Sequence, residues 1–381
     1  MQLTKKDFRR LLSEYKIVAL LLVIAVIWAF FGYLNIEFLS ARNFSNLLRQ
    51  MAITGMLASA MVFVIVAGEI DLSVGSLLGL LGGIAAVLDV SWGWPLYATI
   101  PVVIMLGIAA GMMVGWLTAY VGIPSFIVTL GGMLAFRGAV LGITGGITIA
   151  PASDELKFVG QGYLPEGIGD VFAVALFAVL VVLALRTRSG RVKHALPVPS
   201  MGFEIGKLAV IAAVIIGFVL TLNSYQGVPV PVLILLFILG IFTVVGNSTV
   251  FGRRIYAVGS NLEATRLSGV NVNFVKLMVF GLMGLMCAFA GLTTTARLAA
   301  GTPSAGFGSE LDAIASCFIG GTSMRGGIGS VIGALVGAII MASLDNGMSM
   351  LGIDTFWQQI TKGIILVAAV WLDIASSGSQ R

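Results

Sequence analysis

The chain has 381 residues, 58% of them hydrophobic and only 10% charged, with a net charge of +5 and 49 glycines. A water-soluble domain carries about 25% charged residues, so the composition excludes an ordinary soluble protein and points to a surface that meets lipid. Two cysteines and one histidine support neither a disulfide framework nor a metal site.

Twelve apolar segments follow one another, at about 17–34, 51–67, 74–88, 96–121, 126–147, 171–185, 208–222, 230–245, 274–295, 311–319, 328–344 and 364–372. They predict an all-α polytopic membrane protein, a single transmembrane domain over 1–381 with no separate soluble part. The first segment follows the basic residues 1–16 without a small-residue cleavage site, so it reads as a retained span. Residues 40–50, SARNFSNLLRQ, read as an interfacial helix carrying Arg42 and Arg49, with Phe44, Leu47 and Leu48 on its apolar side. Several segments are shorter than the ~20 residues of a straight span and adjoin glycines, which predicts broken or re-entrant helices; 311–319 is the weakest of them.

GEIDLSVGS (68–76) places Glu69 and Asp71 between two apolar runs. Asp71 and Ser73 are positioned to cap a helix starting near Val74, and acidic groups suit the positive end of its dipole. The same carboxylates fit a solvent-accessible break lining a solute route or gate. Arg137 lies within a span and calls for an internal partner or water. Asp312 and Thr322, in and just after the short tenth segment, join Glu69, Asp71, Ser73 and Arg137 as candidate pathway residues.

Residues 186–207 form a basic loop that contains His194, and a second charged loop covers 250–273. There Ser260 and Glu263 have capping-box spacing, and Gly269 is placed for a left-handed helix end. A helix this short is not stable alone in water, so it packs on its own protein or on a partner. Asn261, Glu263, Thr265 and Arg266 are then its surface residues. GGTSMRGGIGS (320–330) lacks the Gly-Lys-Ser/Thr of a phosphate loop, so any ATP hydrolysis belongs to another chain. Residues 74–83 and 328–337 share a Gly-x-x-x-Gly stripe after a polar break, which is either chance or an internal repeat. Lys and Arg sort sixteen to five when the N-terminus is placed inside, predicting both termini cytoplasmic. Arg42, Arg49 and Arg297 fall on the outer side, where headgroups or a partner's carboxylates are the expected counter-charges.

GEIDLSVGS, IPSFIVTLGGMLAFRG, FGRRIYAVGSNLEATRLSGVNV, SELDAIASCFIGGTSMRGGIGSVIGALVGAI and LDNGMSMLGIDTFWQQITKGIILVAAVW resemble the membrane permeases of ribose/xylose-type bacterial sugar ABC importers. SARNFSNLLRQMAITG, MASLDNGMSM and the extra apolar pair at 171–185 and 208–222 are most like the xylose branch. The resemblance implies a ten-helix core plus that pair, in the bacterial inner membrane. It also implies a homodimer around one route, a cytosolic ATP-binding subunit carrying the ATP and Mg, and a periplasmic sugar-binding protein, with no cofactor in this chain and no nucleic acid. On it, Ser260, Asn261, Glu263, Thr265, Arg266 and Gly269 belong to the helix that couples to the ATPase, and Arg42, Arg49 and Arg297 meet the binding protein. The competing expectation is an ion-coupled secondary transporter, against which stands the lack of a carboxylate inside the long apolar runs. An intramembrane enzyme lacks the constellation of catalytic groups it would need.

Overall fold

The computed structural model describes residues 16–377 apart from 166, 195, 197 and 199; the expected cytoplasmic N-terminus, 1–16, lies outside the described residues but for Lys16. The described chain is helical, and its only β pairings are two isolated bridges, Ile149 with Gly301 and Tyr163 with Pro229. In order the helices are α1 (Lys16–Leu34), α2 (Ala41–Val66), α3 (Val74–Ala86), α4 (Leu96–Ala119), α5 (Ser125–Thr144), α6 (Asp154–Gln161), α7 (Ile168–Lys193), α8 (Met201–Asn223), α9 (Val230–Ser248), α10 (Val250–Ser260), α11 (Leu262–Leu267), α12 (Val272–Leu298), α13 (Ser309–Ile319), α14 (Val331–Met350) and α15 (Thr355–Ser377). Among the described residues nine helices are long and apolar enough to cross a membrane: α2, α3 with its π-helical continuation Val87–Ser91, α4, α5, α7, α8, α9, α12 and α14. With α1, α13 and α15 they account for the twelve apolar segments. The chain is a multi-pass membrane protein.

Four boundaries differ from the sequence expectation. Residues 40–50 are not a separate interfacial helix but the first turns of α2; Ser40 accepts a hydrogen bond from the Asn43 N–H, no proline interrupts the helix before Val66, and its one glycine, Gly55, is packed against Leu235. The basic loop 186–207 contracts to 194–200, because α7 continues through its arginines to Lys193. The coupling loop 250–273 is mostly helical, as α10 and α11. Helix α14 runs six residues past the apolar run that ended at Leu344, which brings Asp345 inside it.

Helices α2, α3, α12 and α14 form the buried centre, whereas α7 and α8 are almost wholly exposed to the surroundings. That pair meets the bundle through few side chains, among them Phe218 edge-on to Phe44 at 5.7 Å and Gly169 against Val228.

Two helices stop part-way across. After α2 ends at Val66, residues 67–73 turn back into the bundle. Glu69 reaches Lys276 in the first turns of α12, Ile70 meets Ser125 and Thr129 at the start of α5, and the Val74 carbonyl faces the Cys287 thiol at 3.6 Å. Cys287 stands fifteen residues along α12, about 22 Å at 1.5 Å per residue, so α3 begins near mid-span. The complementary element follows α12. Residues 299–308 descend beside α3, with Gly301 against Ala86, Ala305 against Gly79 and Gly306 against Gly75. Helix α13 then finishes the crossing, its Ser316 backbone against Gly337 and Gly320 against Gly333 near the start of α14.

Helix α3 lies against α12, α5 and α4, and α13 lies against α2, α15 and α14. Exchanging α2 with α12, α3 with α13, α4 with α14 and α5 with α15 turns one set of neighbours into the other. The two halves thus relate as an inverted pair whose broken helices cross at the interface, an arrangement that recurs in transporters. This is not the repeat suggested by the sequence: the matching stripes of 74–83 and 328–337 belong to α3 and α14, which occupy different places in it. Both stripes serve close backbone approach, since a Cβ at Gly75 would fall on the Gly306 carbonyl and the Glu310 carboxylate.

Candidate functional site

Much of the charge inside the bundle lies in or beside the two breaks. Glu69 and Asp71 are buried and do not open to solvent as the sequence suggested. Glu69 is neutralised by Lys276, a residue expected on the inner side and found at the foot of α12. Asp71 accepts hydrogen bonds from the Ser73 N–H at 2.8 Å and the Ser73 hydroxyl at 2.6 Å. Its carboxylate therefore shapes the turn into α3, and Ser73, committed to Asp71, makes no side-chain cap of its own.

Arg137 on α5 points inward. Its guanidinium donates to the carbonyls of Pro303 at 2.8 Å and Ala305 at 2.9 Å, and it lies over Gly79 of α3. It thereby ties the descending segment to both α3 and α5. Both bonds come from one guanidinium nitrogen, Nη1, which donates to the two carbonyls together. Glu310, in the first turn of α13, attracts Arg137 through space, and its Oε2 has no hydrogen-bond partner. The sequence reading did not select it.

Asp312 is paired. Lys362 of α15 donates to Asp312 at 3.0 Å and to Asp345 of α14 at 2.7 Å, so one cation joins three helices. Asp345 escaped the sequence reading because the apolar run was ended one residue before it. Thr322 is fully buried with an unpartnered hydroxyl; it lies in the turn between α13 and α14, away from the crossing.

The α10–α11 elbow presses on the first break and on the turn between α13 and α14. The Gly327 N–H donates to the Val66 carbonyl at 2.9 Å, Gly259 of α10 fits against both, and the Tyr256 hydroxyl donates to the Gly329 carbonyl at 2.9 Å. A side chain at Gly259 would strike the Val66 carbonyl, so α10 rides directly on the end of α2 and the turn before α14. Helix α11 then projects outward. Its cap is Asn261, whose Oδ1 accepts from the Ala264 N–H at 2.9 Å, and not Ser260. That serine ends α10 and donates to the Tyr256 carbonyl, so the Ser260–Glu263 capping box does not form. Gly269 is left-handed as expected, at φ 83°. Asn261, Glu263 and Arg266 are exposed, whereas Thr265 is buried and donates back to the Asn261 carbonyl. Leu267 is 80% exposed and Leu262 36%. These apolar residues give α11 the anchors of a docking surface, and the sequence reading, drawn to polar groups, passed over them.

On the opposite face the structure brings Arg49 and Arg297 together, close enough to repel one another. Arg49 lies over the Tyr163 ring at 5.4 Å, Tyr163 shares a hydrogen bond with Ser45, and the Nε atoms of both arginines are buried without a hydrogen-bond partner. Arg42 is exposed two turns nearer the start of α2, on the same helix stripe as Arg49.

The family model described as "Branched-chain amino acid transport system / permease component" matches residues 43–219 and 193–370. The chain is 53% identical to the xylose transport system permease protein XylH of Escherichia coli (strain K12) over 356 residues, 93% of this chain and 90% of that protein. It is 50% identical to XylH of Haemophilus influenzae (strain ATCC 51907 / DSM 11121 / KW20 / Rd) over 364 residues, 95% of this chain and 96% of that one. Against the ribose import permease protein RbsC of Escherichia coli (strain K12) identity is 33% over 365 residues, 95% and 94% of the two chains. No solved structure matches. These full-length likenesses, on a bundle with two crossed broken helices, place the chain in the family of transport-system permeases whose members include the xylose and ribose permease proteins.

Proposed function

We propose that this chain is the membrane subunit of an ATP-driven D-xylose importer of a bacterial inner membrane, with both termini and α11 on the cytoplasmic side. Two copies enclose one route. A cytosolic ATP-binding subunit, which carries the ATP and Mg, grips α11, and a periplasmic sugar-binding protein docks on the opposite face. There Arg42, Arg49 and Arg297 receive its carboxylates; a guanidinium suits that role because charge-assisted forks are strong and directional.

The observation that carries the reading is the elbow. An exposed helix that could not stand alone is joined through Gly259, Gly327 and Tyr256 to the end of α2 and the turn before α14, so displacing α11 moves the first break and the turn that follows α13. When the ATPase pair closes, α10 transmits the displacement to residues 67–73 and 320–330, and the half-helices α3 and α13 reorient around their crossing. Glu69, Asp71, Ser73, Arg137, Asp312 and Thr322 act in this scheme as the gate's fixed joints.

Burying a leucine is worth about 1.5–3 kcal/mol, so Leu267→Ala should weaken capture of the ATPase by roughly ten- to a hundredfold. Adding Glu263→Ala and Arg266→Ala should abolish co-purification and ATP-dependent D-xylose uptake while the variant still extracts as folded protein. Intact assembly and uptake in the triple variant would refute the coupling role. Orientation is checked by an impermeant thiol reagent on whole cells: Arg266→Cys should stay unlabelled and Arg42→Cys should react.

The Asp312–Lys362–Asp345 cluster favours a second reading, an ion-coupled transporter, because carboxylates do lie inside the spans. Lys362 already neutralises one of them, which leaves little for a transported cation. Uptake that persists without any ATPase partner and collapses with an ionophore would favour it.

A further inference from the structure

The two breaks differ in what covers them. Residues 67–73 are sealed, with Glu69, Asp71 and Ser73 all buried. In the descending segment Phe307 is 74% exposed, Ser304 is exposed and Thr302 half-buried; at the start of α13 Leu311 is exposed and Ser309 and Glu310 are half-buried. The segment is a run of turns and not a helix, bends at Gly306 and Gly308 with φ of 73° and 78°, and lies beside Gly75 near mid-span. Irregular backbone at such depth does not face lipid; it is covered by protein or lines water. Its side chains decide between these. The hydroxyls of Thr302 and Ser304 share one hydrogen bond at 2.8 Å and keep further donor and acceptor capacity, whereas the Glu310 Oε2 is buried against Gly75.

Resting on the importer reading above, we propose that residues 302–310 form the solute-contacting surface of the route, with Phe307 as the platform for the C–H face of a pentose and Thr302 and Ser304 as partners for its hydroxyls. A neutral sugar offers many hydroxyls and an apolar face, which an aromatic ring beside polar acceptors can take up together. The contact is shallow and open, as a route requires: binding must be favourable enough to enter and weak enough to leave. Arg137 holds the segment's backbone in place, so it is a positioning residue and not a contact.

The test uses the assembled transporter in proteoliposomes, with native Cys287 and Cys317 buried and the unsubstituted protein as labelling control. Phe307→Cys should react with a small impermeant methanethiosulfonate at least tenfold faster than Phe237→Cys, a residue equally exposed on α9 and expected to face lipid. Saturating D-xylose should slow the Phe307→Cys reaction at least threefold, and a polyol the transporter does not carry should leave it unchanged. Phe307→Tyr should keep uptake within threefold of the parent, whereas Phe307→Ala should lower it at least tenfold with the ATPase still bound. Reaction no faster than at Phe237→Cys, indifference to D-xylose, or parental uptake by Phe307→Ala each overturn the proposal. A parent protein without ATP-dependent uptake would instead sink the importer reading, and the Cys comparison would still report whether the segment is wet.

Discussion

Residues 67–73 and 299–308 make the same traverse in opposite directions, each leaving the end of a long helix and feeding a half-helix near mid-span. In the first, every charge is settled inside the fold: Glu69 on Lys276, Asp71 on the neighbouring serine. In the second, the carboxylate of Glu310 is left without a hydrogen bond to one oxygen, the backbone is held from outside by Arg137, and Phe307 stands clear. One geometry thus yields a sealed arm and an open arm. A rigid sealed arm gives the mover something to turn against, and the open arm is free to meet solute.

The sharpest way to break this contrast is to unseal the first arm. Lys276→Met leaves Glu69 buried without its cation, and removing one partner of a buried pair costs about 3–5 kcal/mol. The folded yield after detergent extraction should collapse. Glu69→Gln together with Lys276→Met should restore most of it, because a neutral amide no longer demands a counter-charge. If Lys276→Met alone melts like the parent, the arm is wetter than its packing implies and the contrast fails.

A smaller loss is expected from the open arm. Arg137→Met frees the carbonyls of Pro303 and Ala305, but on the open arm water can take them up, so each lost bond costs only its net worth of about 0.5–1.5 kcal/mol. The thermal midpoint should fall by less than in Lys276→Met, and a cysteine placed at Ser304 should become more reactive to an impermeant thiol reagent. Arg137→Lys should recover only part of the loss, since the lysine side chain is one bond shorter than the reach to Nη1, the nitrogen that bonds both carbonyls.

The sequence carried much of this architecture, for identifiable reasons. Hydropathy marked twelve segments because apolar runs report burial in lipid directly, and glycines beside short runs marked the broken helices. The partners of the breaks were not legible: Lys276 lies two hundred residues from Glu69, and Arg137 is satisfied by backbone carbonyls, which leave no side-chain signal. Asp345 was missed because hydropathy ends where charge begins, although the α14 backbone runs on to Met350. Helix α10 was read as loop because Arg253 and Arg254 break its apolar run, while its amphipathic face is buried through Ile255 and Val258.

The smallest effect concerns α11, where neighbouring residues compete for one role. Ser260 and Asn261 are both good caps by composition, but the backbone gives the cap to Asn261 by ending α10 at Ser260, whose hydroxyl turns back to the Tyr256 carbonyl. Losing a cap costs about 1 kcal/mol, so Asn261→Ala should weaken binding of the ATP-binding subunit by roughly fivefold, and Asn261→Asp should retain it. Ser260→Ala removes only a hydroxyl bonded within its own helix and should change binding less than twofold. Titrating the purified permease variants with the ATPase reads both. A reversed order, with Ser260→Ala the weaker binder, would mean that α11 starts one residue earlier when its partner is bound, restoring the capping box with Glu263 that the free chain does not form.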